Sequence, residues 1–435
     1  MDKVQTYSFV GIGALLHFLV DGLCICCLYL MVCPFDATQF INYFILYNVL
    51  AFLTQPLTGY VVDRLKHKHW ALLTAVLLLT LAVSSFLLSF FLLSSFLLGM
   101  GNSLFHVWGG QQVAVRTCND IRSLGVFVST GAFGLSVGAV FFSWWLLFAF
   151  LLAIVLLTYF AIFSPLSSRC GTTLYPQKGN HRGLSLLIIL VMVVVTLRAW
   201  LSEDFTSDIV KTQGVVLLLG FTSMLGKTFG GFLCKWIGVV WAMVLVVAGV
   251  LFAPFLLPSS ILPSLICLFL VTCTMPVTLW LANLLLPRRE GLAFGLLAAA
   301  LMPAYLLHFI DTSLLLPPLT LHHSLLIFLL PLLATIIIEL GVLWFLRERR
   351  SHVLWASVVI NVLTNVPLNL LVYAGWIDSL LLLLIAELVI VVIETLWYFC
   401  FARQWRQAFV YGLLCNAISF LLGLLVQLLY EYIIY

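Results

Sequence analysis

The sequence predicts an all-α polytopic membrane protein. Its core is a pseudo-symmetric bundle of six plus six helices, followed by about three extra C-terminal transmembrane helices. Composition is the first observation: of 435 residues, 64% are hydrophobic and 8% charged, an apolar excess that no soluble core requires. The second is length, because the apolar runs reach the roughly 20 residues that a helix needs to cross hydrocarbon. The third is the side of the membrane on which Lys and Arg fall once those runs are placed.

Fifteen spans follow along the chain, at about 7–32, 38–62, 70–86, 88–113, 123–143, 145–165, 184–201, 213–233, 238–257, 261–285, 291–312, 324–346, 352–374, 379–401 and 408–430. The runs 70–113 and 123–165 are each divided in two, since a single helix would overshoot the bilayer about twofold. With the N-terminus inside, one face collects every Lys and Arg except Lys211, in an opposite loop, and Arg198, near the outer end of the seventh span. That face is cytoplasmic by the positive-inside rule, which puts the C-terminus outside. The first span is too long for a cleavable signal and lacks a small-residue cleavage site, so it is expected to stay as a helix.

Several function classes are excluded by what the motifs lack. There is no His-Glu-x-x-His, no nucleophile elbow and no Walker sequence, so neither an enzyme nor direct ATP coupling is expected. Eleven cysteines show no paired spacing. Cys24, Cys26 and Cys27 lie within the first span with no second Cys/His pair nearby and read as packing thiols. No cofactor, bound metal or nucleic acid is expected. The partners are the bilayer, a small-molecule solute and protons.

The longest polar connection, 166–183, is basic and separates two sets of six spans. It divides the chain into an N-terminal bundle (1–165), a cytoplasmic linker (166–183), a C-terminal bundle (184–350) and an appended three-helix membrane domain (351–435). Between spans two and three lies Gly59-Tyr-Val-Val-Asp63-Arg64-Leu65-Lys66-His67-Lys68. Gly59 permits close packing, Asp63 can face a helix N-terminus, and Arg64 can pair with an acid across a gate. At the equivalent place in the second half, Gly226-Lys227-Thr-Phe-Gly230-Gly231 leads to Cys234-Lys235 and Gly238.

The 6+6 layout and the Gly59–Lys68 run resemble the major facilitator superfamily, whose loop signature is Gly-x-x-x-Asp-Arg-x-Gly-x-Lys/Arg. Lys66 replaces its last Gly, and Cys234 stands in the second half where the family has Asp. A narrower resemblance is to the fosmidomycin-resistance-like branch. It rests on His17-Phe18-Leu19-Val20-Asp21, on Gly99-x-Gly101-x-x-x-Phe105-His106 with Val107 in place of Pro, and on Gly131, Gly134 and Gly138. It covers residues 7–346, and the appended spans lie outside it. The resemblance implies alternating access by two rocking halves.

The expected cytoplasmic gate comprises Gly59, Asp63, Arg64, Lys68, Arg116, Gly231 and Lys235. A titratable group inside hydrocarbon costs several kcal/mol unless paired or solvated. His17, Asp21, His106, Trp108 and Gln111 are therefore candidates to line a substrate and proton cavity. Asp21 and His17, one turn apart, act in proton coupling or substrate contact, or else form an interhelical hydrogen bond; His106 lines the cavity or simply packs. Arg198 is expected to reach outer headgroups or pair with Glu203, and Glu339 is open between local pairing and function. In the appended domain, Asn361, Asn365 and Asn369, then Glu387 and Glu394, then Asn416, Ser419 and Gly423 each keep to one helix face. The polar face of Asn365, Glu387, Glu394 and Asn416 either closes a three-helix bundle or forms a second polar site. The function expected is secondary active transport of a small organic solute, proton-coupled, with export of amphiphilic compounds as one direction. The alternative is a translocase or accessory protein acting on a lipid-linked molecule.

Overall fold

The computed structural model describes residues 3–32, 37–163, 181–207, 209–256, 261–307, 330–373, 377, 379–402 and 404–434, and among them there is helix and no strand. The predicted linker 166–183 lies outside the described residues except at its end. The first eight helices are α1 (Lys3–Val32), α2 (Ala37–Leu53), α3 (Gln55–Arg64), α4 (His69–Leu87), α5 (Phe91–Arg116), α6 (Ile121–Val140), α7 (Trp144–Phe163) and α8 (His181–Ser207). Then come α9 (Gln213–Ile237), α10 (Val239–Leu256), α11 (Leu262–Thr272), α12 (Met275–Leu285), α13 (Glu290–Ala299) and α14 (Met302–Leu307). The last four are α15 (Leu330–Phe345), α16 (Ser351–Tyr373), α17 (Leu380–Ala402) and α18 (Trp405–Ile434). Among the described residues, nine helical segments are long and apolar enough to cross a bilayer, and the chain is a multi-pass membrane protein.

Three predicted spans are interrupted rather than continuous. The second divides into α2 and α3, the tenth into α11 and α12, and the eleventh into α13 and α14. In each case a proline, Pro56, Pro276 or Pro303, sits in the first turn of the second piece. Proline has no N–H to give to the preceding turn, so it is tolerated where a helix restarts and not within one. At the first break the Thr54 hydroxyl donates to Leu50 O at 2.6 Å and pairs with the Ser103 hydroxyl at 2.7 Å, so these polar groups are bonded where hydrocarbon cannot satisfy them.

The chain forms two compact units, Met1–Ile310 and Asp311–Tyr435. Within the first, α1 packs on α5, α6 and α7, α4 on α5, α6 on α9, and α3 on α13. The interior is closed by Leu16, Leu23, Leu79, Phe105, Leu124 and Phe127, all fully buried. In lipid such packing is held by close van der Waals contact and interhelical hydrogen bonds, because tails are as apolar as Leu.

The second unit begins earlier in the chain than the appended domain expected from the sequence. The twelfth span, α15, is not part of this first unit but packs on α16 and α18, while α17 packs on α16 and α18. The C-terminal unit thus has four described helices instead of three. The reason is polar: Glu339 of α15 is fully buried, and Asn361 and Ser357 of α16 donate to its Oε2 at 2.5 and 3.5 Å.

Candidate functional site

In the first unit, two helices bring their polar residues to one point. His17 and Asp21 are one turn apart on α1, and Asn102 and His106 are one turn apart on α5. His17 Nε2 lies 3.3 Å from Asp21 Oδ2, and His106 Nε2 lies 3.3 Å from Asp21 Oδ1. Asn102 Nδ2 donates to Asp21 Oδ1 at 3.0 Å. The two imidazoles stand edge to face, with centroids 4.5 Å apart and planes at 89°. Asp21 is 7% exposed and His17 5%.

The outer nitrogen of each ring is tied to the backbone. His17 Nδ1 donates to Phe127 O at 2.7 Å, and His106 Nδ1 donates to Asn102 O at 2.9 Å. A carbonyl only accepts, so Nδ1 carries hydrogen in both rings and Nε2 is left either bare or protonated. A bare Nε2 facing a carboxylate oxygen is two acceptors in opposition. Each histidine–aspartate contact therefore becomes attractive when a proton occupies it. The same donor atoms of His17, Asp21 and His106 lie within 4.8 Å of one another, so among the described residues this is also where a metal ion could be held.

Helix α6 closes the third side. A Cβ on Gly131 would lie 2.3 Å from Asp21 Oδ2 and 2.4 Å from His17 Nε2. Only glycine lets α6 approach the cluster this closely. Phe127 stacks near His17 at 4.9 Å, and Phe294 lies 6.5 Å from His106, so the cluster has apolar walls.

Two expected cavity residues lie elsewhere. Trp108 is 2% exposed and packs edge-on to Phe9 and against Phe105, each at 6.2 Å. A helix turns about 100° per residue, so a position two beyond His106 points almost oppositely. Gln111 joins a separate ladder: Gln112 Nε2 donates to Gln111 Oε1 at 2.7 Å, and Arg116 Nε donates to Gln112 Oε1 at 3.2 Å. The Arg116 guanidinium rests 3.7 Å from the Phe9 ring centroid.

The loop motif forms a helix junction. Asp63 Oδ1 accepts from Gly291 N at 2.9 Å, and Oδ2 accepts from Leu292 N at 2.8 Å. The carboxylate thus caps the first turn of α13, where free amides and the helix dipole favour negative charge. Gly59 permits the approach, since a Cβ there would lie 2.3 Å from Gly291 O. Arg64 does not join an ion pair among the described residues but lies over Tyr60, 4.0 Å from its ring centroid. Lys68 donates to Val62 O. Gly231 lies where α9 crosses the start of α6, against Ile121 O, and Lys235 is exposed.

The polar groups of the second unit are paired as well. Glu394, 1% exposed, accepts from Thr364 Oγ1 at 2.9 Å and Asn416 Nδ2 at 2.6 Å. Asn365 donates to Thr335 Oγ1 at 3.1 Å. Glu387 has no hydrogen bond with another described residue and faces the same interior as Asn365, Glu394 and Asn416.

Three residues matter more than the sequence reading assigned. Asn102 completes the Asp21 cluster; its helical spacing to His106 was the available signal. Arg198, 8% exposed, is not paired with the exposed Glu203, and its Nη1 has no hydrogen-bond partner among the described residues. Lys227, placed with the cytoplasmic charges in the sequence, lies within α9, ten residues from its end, and in the electrostatic field of Asp21 and Arg198. A run of residues that reads as one basic junction had hidden this depth.

In sequence the chain matches no family profile and no curated protein. In structure it is similar to a variant of the E. coli fucose:proton symporter, with TM-score 0.53 and 11% identity over 71% of this chain and 92% of that one. It is also similar to a bacterial homologue of the iron transporter ferroportin in an outward-facing state, with TM-score 0.51 and 16% identity over 85% of this chain and 100% of that one. The fold, an all-helical membrane bundle, is the one this chain shares with these two transporters.

Proposed function

We propose that this protein is a secondary active transporter of a small organic solute, working by alternating access and coupled to protons at Asp21. The observation that carries the reading is the convergence of two histidine Nε2 atoms and one amide on a single buried carboxylate. Intramembrane carboxylate–histidine sets mark proton relays because they are costly unless they perform a function. Gain or loss of a proton changes each 3.3 Å contact between attraction and opposition, and the His106–Asp21 contact joins α1 to α5. The proton state of Asp21 thereby biases how these helices pack, which is the link that coupling needs. The Asp63–α13 cap and the Gly59 crossing join the first and second halves of the bundle and serve as the cytoplasmic gate, with Arg116 and Lys235 on the same side.

The test is flux into proteoliposomes, with a panel of small organic solutes and with or without an imposed pH gradient. Wild-type protein should move its solute faster with the gradient. Asp21→Asn should fold and bind yet lose that acceleration. An Asp21→Asn protein whose flux still follows the gradient would remove proton coupling from this site.

A further inference from the structure

The four helices of the C-terminal unit line a partly open cavity of about 220 Å³ that the transport reading does not use. Its polar wall includes Asn361, Asn369 and Asn416 with Glu387 and Glu394, and its apolar wall includes Leu383, Ile390 and Phe420. No Lys, Arg or His is among the described residues that line it.

What this wall can bind follows from its hydrogen-bond inventory. An asparagine amide has two N–H donors and one carbonyl acceptor. Asn361 spends both donors, on Glu339 Oε2 at 2.5 Å and Ser357 O at 3.0 Å. Asn416 does the same with Glu394 Oε2 at 2.6 Å and Gly412 O at 2.8 Å. Asn369 gives both to Asn365, to Oδ1 at 2.7 Å and O at 3.0 Å. The Oδ1 atoms of Asn361, Asn369 and Asn416 accept from no described residue, although Asn361 is 1% exposed and Asn416 6%. The Glu387 carboxylate is likewise unfilled. Among the described lining residues, the spare capacity is thus dominated by acceptors, with the carboxyl groups of Glu387 and Glu394 beside them.

A wall of this kind calls for a cation that brings its own N–H donors. Water would fill the acceptors but leave the carboxylates uncompensated in a low dielectric. A bare metal ion is too small, since even one water takes about 30 Å³ of liquid volume. The apolar wall suits an aliphatic body.

We propose that this cavity is a binding site for a primary ammonium group carried on a small apolar body. The ammonium donates to the Oδ1 atoms of Asn361 and Asn416 with Glu387 as counter-charge, and the body lies on Leu383, Ile390 and Phe420. The ammonium belongs either to a free amine or to an aminophospholipid headgroup.

The test uses the full chain in lipid nanodiscs, with n-butylammonium as probe and n-butanol, tetramethylammonium and NaCl as controls. In phosphatidylcholine discs, n-butylammonium should raise the thermal midpoint saturably while the controls do not. Glu387→Gln, which breaks no hydrogen bond, should weaken the apparent affinity about tenfold, the scale of one charged hydrogen bond. Leu383→Trp fills the cavity from its apolar side, leaves the polar network untouched, and should abolish the effect. Competition by added phosphatidylethanolamine assigns the ammonium to a lipid headgroup, and its absence assigns it to a free amine. Equal stabilisation by n-butanol or by Na⁺, or an unchanged response in both variants, overturns the proposal.

Discussion

The two units both hold carboxylates inside apolar helices, and they match them with different chemistry. In the first, Asp21 faces two imidazoles, which exist with or without a proton on Nε2. In the second, Glu339 and Glu394 face Asn361, Asn416, Thr364 and Ser357, whose donors never titrate. A histidine partner makes the interaction conditional on protonation, whereas an amide partner makes it permanent. The first arrangement suits a group that must change state during a cycle. The second suits a scaffold that fixes helices around a cavity.

The largest expected difference is functional. Asp21→Asn should lower pH-gradient-driven flux by at least about tenfold, equivalent to ~1.4 kcal/mol, as read in proteoliposomes. In the second unit the corresponding loss is in stability. Asn416→Leu strips Glu394 of one donor and leaves a buried oxygen unfilled, which should cost about 2 kcal/mol in denaturant unfolding of the purified protein. Replacing Glu394 and Asn416 together by Leu should recover most of that loss, because removing both partners leaves no orphan. If Asn416→Leu were neutral while Asp21→Asn unfolded the protein, the roles assigned to the two regions would be reversed.

Glycine substitutions sharpen the contrast on a smaller scale. Gly131→Ala forces a methyl against Asp21 and His17 and should destabilise by about 1–3 kcal/mol, with loss of flux. Gly423→Ala, where a Cβ meets nothing within 4 Å, should leave the melting temperature unchanged. At the α3–α13 junction, proposed as the gate, Asp63→Ala removes the cap on α13 and should cost about 1 kcal/mol. Cysteine accessibility on the Asp63 side of the bundle should change more than substrate affinity.

The smallest effect is a pH dependence outside the membrane. Glu348 accepts from Arg350, from Tyr411 Oη at 2.8 Å and from the Arg349 and Arg350 amides at 2.9 and 2.7 Å. The Arg350 guanidinium foremost lowers its pKa to about 2. The ionised form is therefore the one that folding favours. Its stabilisation is complete above the unfolded value of about 4.3 and is lost as pH falls toward about 2. Glu348→Gln should flatten that part of the stability curve, and an unchanged slope would place the acid sensitivity elsewhere.

What could be read from the sequence was local and periodic. Apolar runs of bilayer length defined the class and most helix limits, because every backbone group inside lipid must be bonded within its own helix. The four-residue spacing of His17 and Asp21 placed both on one face, as did the spacing of Asn361, Asn365 and Asn369. Tertiary structure decided which faces meet. It brought Asn102 and His106 to Asp21, turned Trp108 into the core, took Lys227 into the bundle and gave Glu339 to the C-terminal unit. None of these follows from spacing, since helical phase states only that a residue shares a face. The partner across that face is selected by packing and by whichever distant donor satisfies a buried acceptor.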